Sequence, residues 1–130
     1  MKTHLVFLVA ALLSACASTQ APVNDSARED ARAIEQLRTA GADLTKPQLT
    51  RHYLYFPDER SARAAGTEIP SAAYVVERVA PAARGSDWLL LVRRPTLLSV
   101  GELSNASREL TALARKHGGV YDGWEAEARK

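Results

Sequence analysis

RHYLYF, residues 51–56, closed by Pro57 and the acidic pair Asp58-Glu59, is the stretch from which the fold is read. A short run of aromatic and branched apolar residues ending at a proline has the character of a β-strand. Side chains alternate along a strand, so His52, Leu54 and Phe56 share one face and Arg51, Tyr53 and Tyr55 share the other. The first face is the more apolar and is expected to lie against helices. The second mixes rings with charge, as a half-solvated sheet surface does. Pro57 cannot donate to a ladder, so pairing is expected to stop there, and Asp58 can cap a following helix.

Working outward, residues 26–40 form an expected first helix. Ser26-Ala27-Arg28-Glu29 has capping-box spacing, and Ala27, Ala31, Ile34 and Leu37 form an apolar stripe that ends at Gly41. After Pro57, residues 58–65 offer only alanines as apolar groups, with Gly66 and Pro70 following, so a short helix of about two turns is expected. Residues 72–79 (AAYVVERV) are a second strand. Residues 81–86 form a turn, and residues 88–92 (WLLLV) a third strand, apolar on both faces and ended by Arg93-Arg94-Pro95. Trp88 is expected in the core. Ser99-Val100-Gly101-Glu102 starts the longest helix, which ends near His117 before Gly118-Gly119, and residues 120–126 (VYDGWEA) are the last strand. This order predicts an α+β domain over residues 26–130 of the ferredoxin-like split βαβ kind. It is a four-stranded antiparallel sheet with helices on one face, plus an extra N-terminal helix.

With 130 residues, 46% apolar and 25% charged, the chain suits one globular domain. The N-terminus has the pattern of an export leader: Lys2, then a nine-residue apolar core over residues 5–13 (LVFLVAALL), too short to span a bilayer comfortably. Leu13-Ser14-Ala15-Cys16 resembles the lipobox of bacterial lipoproteins, in which the cysteine is acylated and becomes the new N-terminus. Cys16 is the only cysteine, so it has no disulfide partner within the chain. The expectation is a signal peptide over residues 1–15, lipidation at Cys16 and a flexible tether over residues 16–25. The lipid bilayer is then a partner through acylated Cys16. By the lipoprotein sorting rule, Ala17 points to the outer membrane of the cell envelope, facing the periplasm. Of 17 basic residues Lys2 lies in the leader, so 16 face 15 acidic ones in the remainder. Near neutrality argues against a nucleic-acid funnel, and no nucleic-acid partner is expected.

Four segments together resemble the regulator of ribonuclease E activity B family. They are Leu37-Arg38-Thr39-Ala40-Gly41-Ala42-Asp43-Leu44-Thr45-Lys46-Pro47, Tyr53-Leu54-Tyr55-Phe56-Pro57, Asp87-Trp88, and His117-Gly118-Gly119-Val120-Tyr121-Asp122-Gly123-Trp124-Glu125. The resemblance implies a ferredoxin-like fold and an activity exerted by binding and inhibiting ribonuclease E, a cytoplasmic enzyme. This sequence departs from the pattern in its lipoprotein leader, its near-neutral charge and its expected short second helix.

No catalytic or metal constellation stands out: His52 and His117 are far apart in sequence, without metal-ligand spacing, and no serine sits in a nucleophile-elbow setting. No cofactor and no enzymatic activity are expected. Tyr53, Tyr55 and Arg51 on an open sheet face have the composition of single-strand RNA stacking platforms, but packing or protein contact suits the charge balance better. Tyr121, Asp122, Gly123, Trp124 and Glu125 complete the candidate partner surface, as part of an edge strand open to another chain. Architecture competes for the same residues, since Trp124 can bury a large area and Gly123 can admit close backbone approach. The expected function is a lipid-anchored, non-enzymatic binding module with an envelope protein as partner. The alternatives are a cytoplasmic-type ribonuclease E inhibitor, if the leader is not used, and an envelope hydrolase with a dispersed site.

Overall fold

The computed structural model describes residues 23–130; the leader and Cys16 lie outside the described residues. In order the elements are α1 (Val23–Thr39), β1 (Gln48–Phe56), α2 (Glu59–Glu68), β2 (Val75–Pro81), β3 (Trp88–Thr96), α3 (Val100–Lys116) and β4 (Val120–Ala126). The four strands form one antiparallel sheet in the order β2-β3-β1-β4, the ferredoxin-like arrangement with an added N-terminal helix. β1 is a central strand, and its nine residues alternate strictly between buried and half-buried. Among the described residues, no helix is long and apolar enough to cross a membrane.

The inward side chains of β1 and β3, chiefly Leu54, Phe56, Leu90 and Val92, pack with Ala62 and Ala65 of α2 and Leu110 and Ala114 of α3. A second cluster joins Ile34 of α1 to Leu98 and Leu103, with Trp124 against it. The helices bury their apolar stripes on one side of the sheet, against the inward rows of β1 and β3. Asp58 caps α2 by accepting from the Ser61 N–H at 2.8 Å, and Ser99 caps α3 by accepting from the Glu102 N–H at 3.1 Å. α3 closes with paired turn hydrogen bonds, Gly118 N–H to Arg115 O and Gly119 N–H to Ala114 O, with Gly118 at φ +72°.

Several boundaries differ from the sequence reading. α1 begins at Val23, so Ser26 lies inside the helix rather than capping it, and residues 23–25, read as part of the tether, are helical; no glycine or proline interrupts them. α2 runs ten residues and passes through Gly66. Its alanines are what allow close packing on the sheet: Ala62 and Ala65 are fully buried, and a Cβ on Gly66 would stand 3.4 Å from Leu90 Cδ1. β2 starts at Val75 rather than Ala72, because the Ala73 and Tyr74 N–H groups both donate to Pro70 O in a preceding turn. β3 continues through Arg93-Arg94-Pro95 to Thr96. The last β2 pairing is Val75 with Arg93, so beyond it β3 has β1 alone as neighbour, an edge position where proline is tolerated. Trp88, expected inside, is half-buried at the margin of the larger cluster.

Candidate protein-binding surface

The outward side of the sheet follows from register. Arg51, Tyr53 and Tyr55 of β1 stand opposite Arg93, Leu91 and Leu89 of β3, and Val75, Arg78 and Ala80 of β2 continue the same rows. Leu91 and Leu89 are 4% and 6% exposed, yet they belong to neither cluster under the helices. Their cover comes from the outward side chains around them, with Tyr53 and Tyr55 directly opposite. The result is a face with apolar floor and half-buried aromatic rings, and the helices lie on the other side.

Charge is ordered across this face. Arg51 bridges two carboxylates, its Nε 3.1 Å from Glu77 Oε2 and an Nη 3.2 Å from Glu127 Oε1. Tyr53 donates its hydroxyl to Glu125 Oε1 at 2.6 Å, and that bond is the first cause holding the phenol up at about 12. Glu77, Glu125 and Glu127 are thereby engaged within the chain.

The β4 segment divides. Tyr53 pairs with Gly123 and Leu54 with Tyr121, which leaves Asp122 as an extra residue in a β-bulge, with Gly123 at φ +120°. Residues 121 and 124 would fall on opposite faces of a regular strand. The bulge turns both inward. Tyr121 Oη lies 2.9 Å from His52 Nδ1, and Trp124 donates its indole N–H to Asp30 of α1 at 2.8 Å. Asp122 is exposed at the bulge, where it lines a hollow shared with Tyr55, Gly123 lies opposite Tyr53, and Glu125 projects its carboxylate onto the outer face beside Arg51 and Tyr53. Tyr121 and Trp124 thus hold architecture, while Arg51, Tyr53, Tyr55 and Glu125 come together.

His52 is fully buried on the inner side, edge-on to Tyr74 with ring centroids 5.9 Å apart. Burial first, and the charge of Arg94 second, push its imidazole down to about 4, so it is neutral near pH 7. His117 caps the C-terminus of α3 with Nε2 3.2 Å from Glu68 Oε1. Among the described residues no group of three His, Cys, Asp or Glu is placed to hold a metal ion. At the end of the sheet, a hollow of about 650 Å³ lies between Tyr55, the β2–β3 loop at Ala82–Arg84 and Asp87, Gly118–Val120, and Asp122. Tyr55 is common to the hollow and to the outer face.

Sequence reasoning missed Glu77, Glu127, Arg78, Arg93 and the two buried outward leucines. Glu77 is the extra residue of a second bulge, in β2, which no periodicity announces. Arg93 was hidden by reading the following proline as a strand end.

A family model described as Regulator of ribonuclease activity B matches residues 27–126. No curated protein matches the chain.

Proposed function

Because the chain belongs to the Regulator of ribonuclease activity B family, we propose that it is a non-enzymatic regulatory module that binds a protein partner through the open face of its sheet, carried at the bacterial cell envelope on acylated Cys16. The observation that carries the binding reading is the outer face itself. It combines half-buried Tyr53 and Tyr55 over an apolar floor with a fixed set of charges, the composition of a protein-contact surface with an aromatic centre and polar rim. The edge of β4 is a poorer docking site, since its bulge interrupts the ladder a second strand would need.

Anchoring rests on Leu13-Ser14-Ala15-Cys16. A diacylglycerol plus an N-acyl chain buries many methylenes at about 0.8 kcal/mol each, enough for stable attachment. Labelled palmitate is expected to enter the wild-type protein and not the Cys16→Ala variant; label in the variant, or none in wild type, sinks the anchor. The partner is then an envelope protein, and near-neutral charge favours weak or absent binding to ribonuclease E.

Photo-crosslinking from position 53 or 55 in intact membranes tests the surface. The expected product is one discrete protein adduct that a Tyr53→Ala/Tyr55→Ala chain, cross-linked from a neighbouring outward position, fails to form. An adduct of equal yield in that variant removes the surface, and turnover of a wall or lipid substrate by the purified chain favours a hydrolase instead. Inhibition of ribonuclease E cleavage by the purified domain would favour the cytoplasmic-type inhibitor.

A further inference from the structure

The charges left over on the outer face describe what can dock there. Glu77, Glu125 and Glu127 are all committed, two to Arg51 and one to the Tyr53 hydroxyl. Arg78 and Arg93 are different. Register puts both on the outer face, Arg78 opposite Leu91 and Arg93 between Arg51 and Val75, and neither has a carboxylate or hydrogen-bond partner among the described residues. The face is therefore divided. Its β4 side carries Glu125 and Glu127, both engaged, while its β2–β3 side carries Glu77, bound to Arg51, and presents two unmatched guanidinium groups beside Tyr53 and the exposed Val75.

We infer that the partner segment covering this face is an acidic stretch of protein whose carboxylates meet Arg78 and Arg93 while its apolar side chains lie on Tyr53, Tyr55 and Val75; this rests on the protein-binding reading above. Guanidinium forks match carboxylates bidentately, and side-by-side apolar contact lowers the local dielectric around them. Two alternatives fit the charges less well. A nucleic-acid backbone would bring a phosphate every few ångströms across a face that also holds Glu77, Glu125 and Glu127. A second copy of the chain docked face to face would have to offer carboxylates that its own Arg51 and Tyr53 already occupy.

The test uses the purified full chain in detergent and three fluorescent probes of equal length. They are a peptide alternating glutamate with leucine, its lysine counterpart, and an oligouridylate. Fluorescence anisotropy is expected to show the glutamate peptide bound about tenfold more tightly than the lysine peptide at low salt, with the margin falling as salt rises. Arg78→Gln/Arg93→Gln is expected to erase most of that margin without shifting the melting temperature, as both groups are unpaired. Tyr53→Ala/Tyr55→Ala should weaken both peptides alike. No preference for glutamate, a preference that survives the arginine double variant, tighter binding of the oligouridylate, or displacement of the peptide by self-association at higher protein concentration would each overturn the inference. The membrane cross-link from positions 53 and 55 is a separate readout. If it stands while the glutamate preference fails, the charge assignment is wrong and the docking face survives; if both fail, the face itself is wrong.

Discussion

Gly119→Ala is expected to destabilise the domain by about 3 kcal/mol or more, enough to remove a large part of an ordinary domain's stability. A Cβ built at this position lies 2.5 Å from the Tyr55 carbonyl oxygen and 2.5 Å from Phe56 Cδ1. The Phe56 ring is itself 1% exposed and packed in the main cluster, so it cannot swing aside, and the carbonyl belongs to the central strand. Either the turn after α3 lifts off β1 or the core opens. Gly118 is the control: it needs a positive φ of +72° but meets nothing within 4 Å, so Gly118→Ala should cost only about 1–2 kcal/mol of backbone strain. Urea unfolding of the two variants beside wild type reads the difference directly. Equal midpoints for the two, or a milder effect at 119, would show that close approach to β1 is not what requires the second glycine.

His52 should make the protein lose stability on mild acidification. Burial holds the folded imidazole down at about 4, whereas in the unfolded chain it titrates at its ordinary 6.5. Between those values the unfolded chain binds a proton that the folded chain refuses. Stability is therefore complete above about pH 6.5 and declines as the pH falls toward 4, by about 3 kcal/mol over the whole interval. Asp43, Asp58 and Glu68 have carboxyls held below their ordinary range by hydrogen bonds and, for Glu68, by Lys116 and His117, so their losses come at lower pH. The interval from pH 5 to 6.5 thus lies above the carboxylate losses, and a variant at position 52 separates the share of this imidazole from that of His117. His52→Gln keeps a polar group for Tyr121 but does not titrate, and its unfolding free energy should be flatter across that interval. A slope as steep as that of wild type would assign the acid sensitivity elsewhere.

How much of this was legible in the sequence depended on which physical signal each residue carried. The alternation of residues 51–56 and the caps at Asp58 and Ser99 are local, and each stands where it was read. Element order was enough to give the split βαβ class as well. Signals that depend on what a residue packs against were misread: alanines in α2 suggested weakness, whereas against a sheet they allow close contact. Parity failed in β4 for the same reason. A glycine within a strand hints at an irregularity, but only the pairing of Tyr53 with Gly123 and Leu54 with Tyr121 reveals that the faces exchange there. Hence the five residues read as one surface were two sets, and Arg93 and Arg78 joined the outer face only when β3 was seen to run past Arg93 and β2 to bulge at Glu77.

Both outermost strands of the sheet carry a bulge, one at Glu77 and one at Asp122, and each inserts an acidic residue into what would otherwise be a straight ladder. A fibre grows when the last strand of one molecule templates the first strand of the next, so either end left regular would be a seed. Here β2 is the more dangerous end, with Val75 and Val76 exposed at 54% and 41%. Glu77 follows them immediately, and the kink it produces breaks the template after two residues. The chain can therefore reach high local density with neither end of its sheet able to start an amyloid-like stack.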